Sequence, residues 1–108
     1  MIQLIQRQNY VSTLMGIIPP ADTVYNLVLA AGVSQTVDVP SGATTVLMTG
    51  EVPYFVKYGP GPVNIPAQSV TDGTGLEVNP AGRSLAGISA ITVVARMAGV
   101  VQLAFYNG

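Results

Sequence analysis

Apolar and polar residues mostly alternate along this chain with a period of two, the spacing at which successive strand side chains face opposite sides of a sheet. Tyr25, Leu27 and Leu29 alternate with Asn26 and Val28. Val33, Gln35, Val37 and Val39 share one face, with Ser34, Thr36 and Asp38 on the other. Pro40-Ser41-Gly42 then predicts a turn, because proline presets φ and glycine accepts the left-handed position. Val46 and Met48 resume the alternation against Thr45, Leu47 and Thr49 until Gly50 interrupts it. Pro53 marks an edge or a bulge, since it cannot donate to a ladder. Tyr54-Phe55-Val56-Lys57-Tyr58 is the densest group of β-formers, with Tyr54, Val56 and Tyr58 on one face and Phe55 and Lys57 on the other.

Gly59-Pro60-Gly61-Pro62 ends that strand. Residues 63–80 read as a long extended loop, with candidate short strands at 63–66 and 76–78 and a turn at Asp72-Gly73. Two strands close the pattern: Ile88 to Ala95, and Val100 to Tyr106 with Val101, Leu103 and Phe105 on one face. No stretch sustains a helical spacing, and 12 glycines and 8 prolines punctuate any attempt at one. Seven to nine short strands between Gly/Pro turns predict an all-β fold. The expected form is a β-sandwich of jelly-roll-like order, with a small Greek-key barrel as the alternative. Residues 1–23 stand apart as an N-terminal arm or edge segment, cut by Pro19-Pro20 from a sandwich spanning 24–108. The arm's periodicity leaves edge strand, short helix and an extension towards a neighbour all open.

Composition narrows the function. With no cysteine and no histidine, disulfides, thiolate metal sites and the commonest general base are missing. Charged residues make up 8% of the chain, against about 25% in ordinary domains, and 49% of it is apolar. A surface so short of charge is expected to lie against other subunits. Four scattered cations (Arg7, Lys57, Arg83, Arg96) do not make a phosphate footprint, so no nucleic-acid partner is expected. The first residues, broken by Gln3, Gln6 and Arg7, lack the pattern of a secretory signal, and no apolar run approaches a membrane span.

A search for chemistry returns little. Asp72 and Glu77 are the nearest carboxylates to a pair, but nothing in the sequence sets their separation, and Asp72 before Gly73 reads as turn chemistry. The same two residues are the best calcium ligands on offer and lack the alternating acids of a dedicated loop. Gly59-Pro60-Gly61-Pro62 has glycines, yet its prolines withhold the N–H groups a phosphate cradle uses. No catalytic, cofactor-binding or metal-binding residue is assigned, no cofactor is expected, and the chain is not read as an enzyme. Tyr54 and Tyr58 suit a sugar face, which makes carbohydrate binding an alternative, weakened by the absence of tryptophan.

Val37-Asp38-Val39-Pro40-Ser41-Gly42-Ala43, Tyr54-Phe55-Val56-Lys57-Tyr58-Gly59, Leu76-Glu77-Val78-Asn79-Pro80 with Arg83, and Leu103-Ala104-Phe105-Tyr106 together resemble small head-associated virion proteins of tailed bacteriophages. The likeness covers about residues 33–106, and its motifs are short strand-and-turn segments. It implies a homo-oligomeric sandwich, trimer or dimer, that decorates or cements a capsid and contacts the major capsid protein or another virion protein. The expected location is the virion, assembled in the host cytoplasm. A tail or fibre component fits the same segments. Candidate interface residues are Leu4, Ile5 and Tyr10 in the arm, Tyr54 and Tyr58 on the aromatic strand, and Arg83. The plain alternatives are core packing for both tyrosines and an ion pair with Asp72 or Glu77 for Arg83.

Overall fold

The computed structural model describes residues 1–3 and 18–107. Eight strands follow one another: β1 (Thr23–Leu29), β2 (Gln35–Asp38), β3 (Thr45–Gly50), β4 (Tyr54–Lys57), β5 (Glu77–Val78), β6 (Gly82–Ser84), β7 (Ala90–Ala95) and β8 (Gly99–Tyr106). They form two antiparallel four-stranded sheets, β1-β8-β3-β6 and β2-β7-β4-β5. No strand pairing joins the two sheets among the described residues, so they pack as a sandwich-like pair.

The alternation explains the core. Leu27 and Leu29 of β1, Val46 and Met48 of β3, and Val101, Leu103 and Phe105 of β8 meet Tyr54 and Val56 of β4 and Ile91, Val93 and Ala95 of β7. Burying each large aliphatic or aromatic group here contributes about 1.5–3 kcal/mol. The Tyr25 and Phe105 rings add an edge-on contact with centroids 5.0 Å apart. Pro40-Ser41-Gly42 makes the predicted turn: Gly42 has φ +87° and the Ala43 N–H donates to the Pro40 carbonyl at 3.1 Å. Gly50 is required by close approach, because a Cβ there would lie 2.5 Å from the Tyr54 ring and 2.7 Å from the Val52 carbonyl.

β7 is buried along its whole length, on both faces. Its outer face is covered by the chain that follows β4. The Thr92 hydroxyl donates to the Gly59 carbonyl at 2.8 Å, and the Val63 N–H donates to Ser34 Oγ at 3.3 Å. Thr36 Oγ lies 2.8 Å from Thr92 Oγ; with the Thr92 proton spent on Gly59, Thr36 is the donor. Arg96 sits over the Phe55 ring, 5.5 Å from its centroid, on the same side. The long loop is therefore a third layer lying on the second sheet.

Three expectations differ from the structure. Residues 63–66 form no strand: Pro62 and Pro66 withhold donors, and β4 already has β5 on one side and β7 on the other. Gly82–Ser84, where no strand is expected, is β6, because the free edge of β3 recruits it, starting with the Met48 N–H on the Ala81 carbonyl at 2.8 Å. Val33 lies outside β2 and is 59% exposed, since the chain turns at Ala30–Val33 before the ladder begins. Residues 1–3 lie at the end of β8, where Gln3 bridges Asn107 and the Ile2 N–H donates to Asp22 Oδ1 at 2.9 Å.

Candidate functional site

The edge strands β5 and β6 lie on the same flank of the two sheets, and their register brings two charges to its mouth. Val56 pairs with Glu77, and Val46 pairs with Arg83, so both charged residues continue inward-facing rows. They meet across the gap. Arg83 Nε donates to both Glu77 carboxylate oxygens at 3.1 and 3.2 Å, and Arg83 Nη2 donates to Oε2 at 2.9 Å. Arg83 Nη1 also donates to the Gly82 carbonyl at 2.7 Å, which fixes the plane of the fork. Tyr58, Ser84 and Ile88 complete a shallow cavity of about 320 Å³ around the pair.

Tyr54 lies deeper. Its ring is 4% exposed and its hydroxyl donates to the Pro80 carbonyl. Asn79, in the left-handed region at φ 49°, holds the Tyr54 backbone from both ends. Its Oδ1 accepts the Tyr54 N–H at 2.9 Å and its own N–H donates to the Tyr54 carbonyl at 2.9 Å. Asparagine tolerates that conformation better than most residues, which explains its use at this corner.

The electrostatics follow from these contacts. The Arg83 guanidinium holds the Glu77 carboxyl below the usual range, and Glu77 in turn raises Arg83. Burial pushes the Tyr58 hydroxyl up, and the neighbouring Glu77 carboxylate adds to the effect. As a hydrogen bond, the approach of Tyr58 to Glu77 would help ionise the carboxylate; as a misaligned approach, it leaves the hydroxyl stranded. The hydroxyl makes no bond of acceptable distance and angle, so the second describes it. A carboxylate clasped by a permanently charged guanidinium is suited to holding two sheet edges together rather than to moving protons.

No family model, curated protein or solved structure matches the chain.

The structure thus brings Tyr54, Tyr58 and Arg83 to one flank, while Leu4, Ile5 and Tyr10 lie outside the described residues. The partner of Arg83 is Glu77. Asp72 is not part of the cluster: its Oδ1 accepts the Thr74 N–H at 3.1 Å and the Thr74 hydroxyl at 2.6 Å, an Asx turn. Tyr54 is inside the sandwich and offers no stacking face to a sugar. Among the described residues no three His, Cys, Asp or Glu side chains gather as a metal would need.

A second surface was not singled out by the sequence. The outward rows of the first sheet are Val28–Val100, then Asn26–Gln102–Thr49, then Val24–Ala104–Leu47–Gly82, then Tyr106–Thr45–Ser84, and the face is covered at the last two rows, where Ala104 and Tyr106 are buried. None of these residues is charged, and Val24 and Val28 are 40% and 73% exposed. Acids stand only at its corners, and both are engaged. Glu51 accepts the Val100 N–H at 2.9 Å, and Asp22 accepts the Ile2 N–H. No position stands out by itself; assembling the outward residues of β1, β8 and β3 requires their register. The loop that covers the second sheet has no counterpart here among the described residues, apart from Pro19, whose carbonyl accepts the Tyr106 hydroxyl at 2.7 Å.

Proposed function

We propose that this chain is a structural virion protein that decorates or stabilises the capsid of a tailed bacteriophage, laying the uncharged outer face of its first sheet against the shell. The observation that carries this reading is that face: three antiparallel strands presenting aliphatic, amide and hydroxyl side chains, with no charge between its corners. Removing such a surface from water needs no charge to be stripped of its hydration, the main expense of burying an ordinary protein surface. Copies repeated over a shell add avidity, so each contact need not be strong alone.

The strand orders β1-β8-β3-β6 and β2-β7-β4-β5 support the finer architecture, a jelly roll. In that arrangement two interleaved Greek keys carry β1 and β8, β2 and β7, and β3 and β6 into pairs from opposite ends of the chain. Jelly rolls serve viral shells and lectins alike, so fold analogy supports the virion reading without selecting it. The proposed partners are the major capsid protein or another virion protein, together with further copies of the chain, within the assembled particle.

Mixing the purified chain with empty capsids, followed by sedimentation and heat challenge, tests the reading. Wild type is expected to co-sediment and raise the temperature at which shells break. Gln102→Lys, at the centre of the face, is expected to weaken association about 10- to 100-fold, the effect of about 1–3 kcal/mol from an unpartnered charge in a contact. Absence of co-sedimentation, or equal binding by Gln102→Lys, overturns it.

A further inference from the structure

A sheet edge displays unpaired backbone donors and acceptors, and proteins usually blunt it with short strands, charges or proline. Three of the four edges here obey. β2 has four residues and carries Asp38, β5 has two and carries Glu77, and β6 has three and carries Arg83. β1 does not. It runs seven residues, Thr-Val-Tyr-Asn-Leu-Val-Leu, with neither charge nor proline, and no strand lies on its other side among the described residues.

The ladder shows which groups are free. The Glu51 N–H donates to the Val100 carbonyl and the Val100 N–H donates to the Glu51 carboxylate, so the backbone groups of Val100 point towards β3. Antiparallel alternation then turns Val101, Leu103 and Phe105 towards β1, where they face Leu27, Tyr25 and Thr23. The N–H and C=O groups of Val24, Asn26 and Val28 are left pointing outward.

These residues are arranged symmetrically about Asn26. We infer that β1 pairs antiparallel with β1 of a second copy of this chain about a two-fold axis through Asn26, joining two first sheets into one eight-stranded sheet. The outward groups of Asn26 then bond Asn26 of the second copy, and those of Val24 bond Val28. On the outer face the exposed valines meet each other, Val24 beside Val28 of the second copy. On the inner side Tyr25 meets Leu27. No like charges oppose: Asp22 falls beside Ala30 of the second copy. Seven residues a side is below the roughly 20–30 of a standard interface, so the pair is weak and forms at high protein concentration or in an array that supplies it locally. The inference rests on the reading of the chain as a shell protein only in giving the doubled sheet its use.

The chain has no cysteine, so single substitutions report the register. Asn26→Cys places the two thiols opposite each other, with Cα atoms about 5.5 Å apart, inside the range a disulfide spans. Val28→Cys separates them by four residues, about 13 Å, beyond that range. Under mild oxidation Asn26→Cys is expected to cross-link at least about tenfold faster than Val28→Cys. Sedimentation from about 10 µM to about 1 mM is expected to show wild-type dimers at the upper end. Asn26→Pro, which removes an outward donor and leaves the β8 ladder intact, is expected to remain monomeric. Val28→Lys, a 73% exposed position, tests the same contact without touching the backbone. Monomers throughout, equal cross-linking by the two cysteine variants, or dimers of both Asn26→Pro and Val28→Lys overturn the inference. Failure here with capsid binding intact leaves the proposed function standing; self-pairing without capsid binding does the reverse.

Discussion

Replacing Thr92 by valine keeps the shape of a fully buried side chain and deletes one hydroxyl. That hydroxyl donates to the Gly59 carbonyl and accepts from Thr36, both at 2.8 Å. A typical net hydrogen bond contributes about 1 kcal/mol, and a buried group left without a partner costs about 1–3 kcal/mol. Thr36 is exposed and rehydrates, so its loss counts for little. Gly59 is half-buried, so its carbonyl recovers only part of its bonding. Thr92→Val is therefore expected to destabilise by about 1–2 kcal/mol, lowering Tm by about 4–10 °C in a domain of this size. Thr36→Val should stay within about 0.5 kcal/mol. The two are compared by thermal and urea unfolding, and hydrogen exchange locates the effect. Amides of residues 60–76 should exchange faster in Thr92→Val, while those of β8 change only with global stability. A Thr92→Val protein as stable as wild type, or one whose loop stays equally protected, would refute the claim that this hydroxyl pins the covering layer.

Other substitutions test the remaining packing and charge arguments. Gly50→Ala is expected to lose about 3 kcal/mol by chemical denaturation, because its methyl meets both a ring and a backbone carbonyl. Tyr58→Phe removes a stranded hydroxyl and should be neutral or up to about 1 kcal/mol more stable; a clear loss would mean that the hydroxyl is bonded after all. Because Tyr58 is raised, its neutral form is the one the fold favours. Its contribution is whole below the ordinary value of 10.0 and fades as pH rises through the folded value, so Tyr58→Phe should also blunt alkaline unfolding. Glu77 has the opposite sign. Its contribution is whole above the ordinary value of 4.5 and fades as pH falls through its lowered folded value, so the stability gap between wild type and Arg83→Gln should narrow in acid.

The strands with one wet face were the legible part of the fold. Tyr25, Leu27 and Leu29, then Val46 and Met48, then Val101, Leu103 and Phe105 all point inward as their alternation requires. β7 was legible as a strand but not as one buried on both sides, because what covers Thr92 is a loop whose path depends on tertiary contacts. β6 was illegible for a different reason. Gly82-Arg83-Ser84 has little strand preference of its own, and the edge of β3 supplies the ladder. At the flank, Tyr54, Tyr58 and Arg83 stood out as aromatic and charged residues in a chain with few of either. Glu77 was one of two partners open to Arg83, and choosing it over Asp72 depended on the register of two edge strands, which local sequence does not encode. The uncharged face was hidden more completely, since its members are spread over three strands distant in sequence.

The covering loop also makes the molecule two-sided. Residues 67–75 are exposed along their whole length and belong to no strand, the kind of stretch that tolerates insertion. A peptide or small folded module grafted there would project from the second sheet, away from the outer face of the first. The geometry of this small sandwich therefore keeps a site for displayed cargo apart from the uncharged face on its other side.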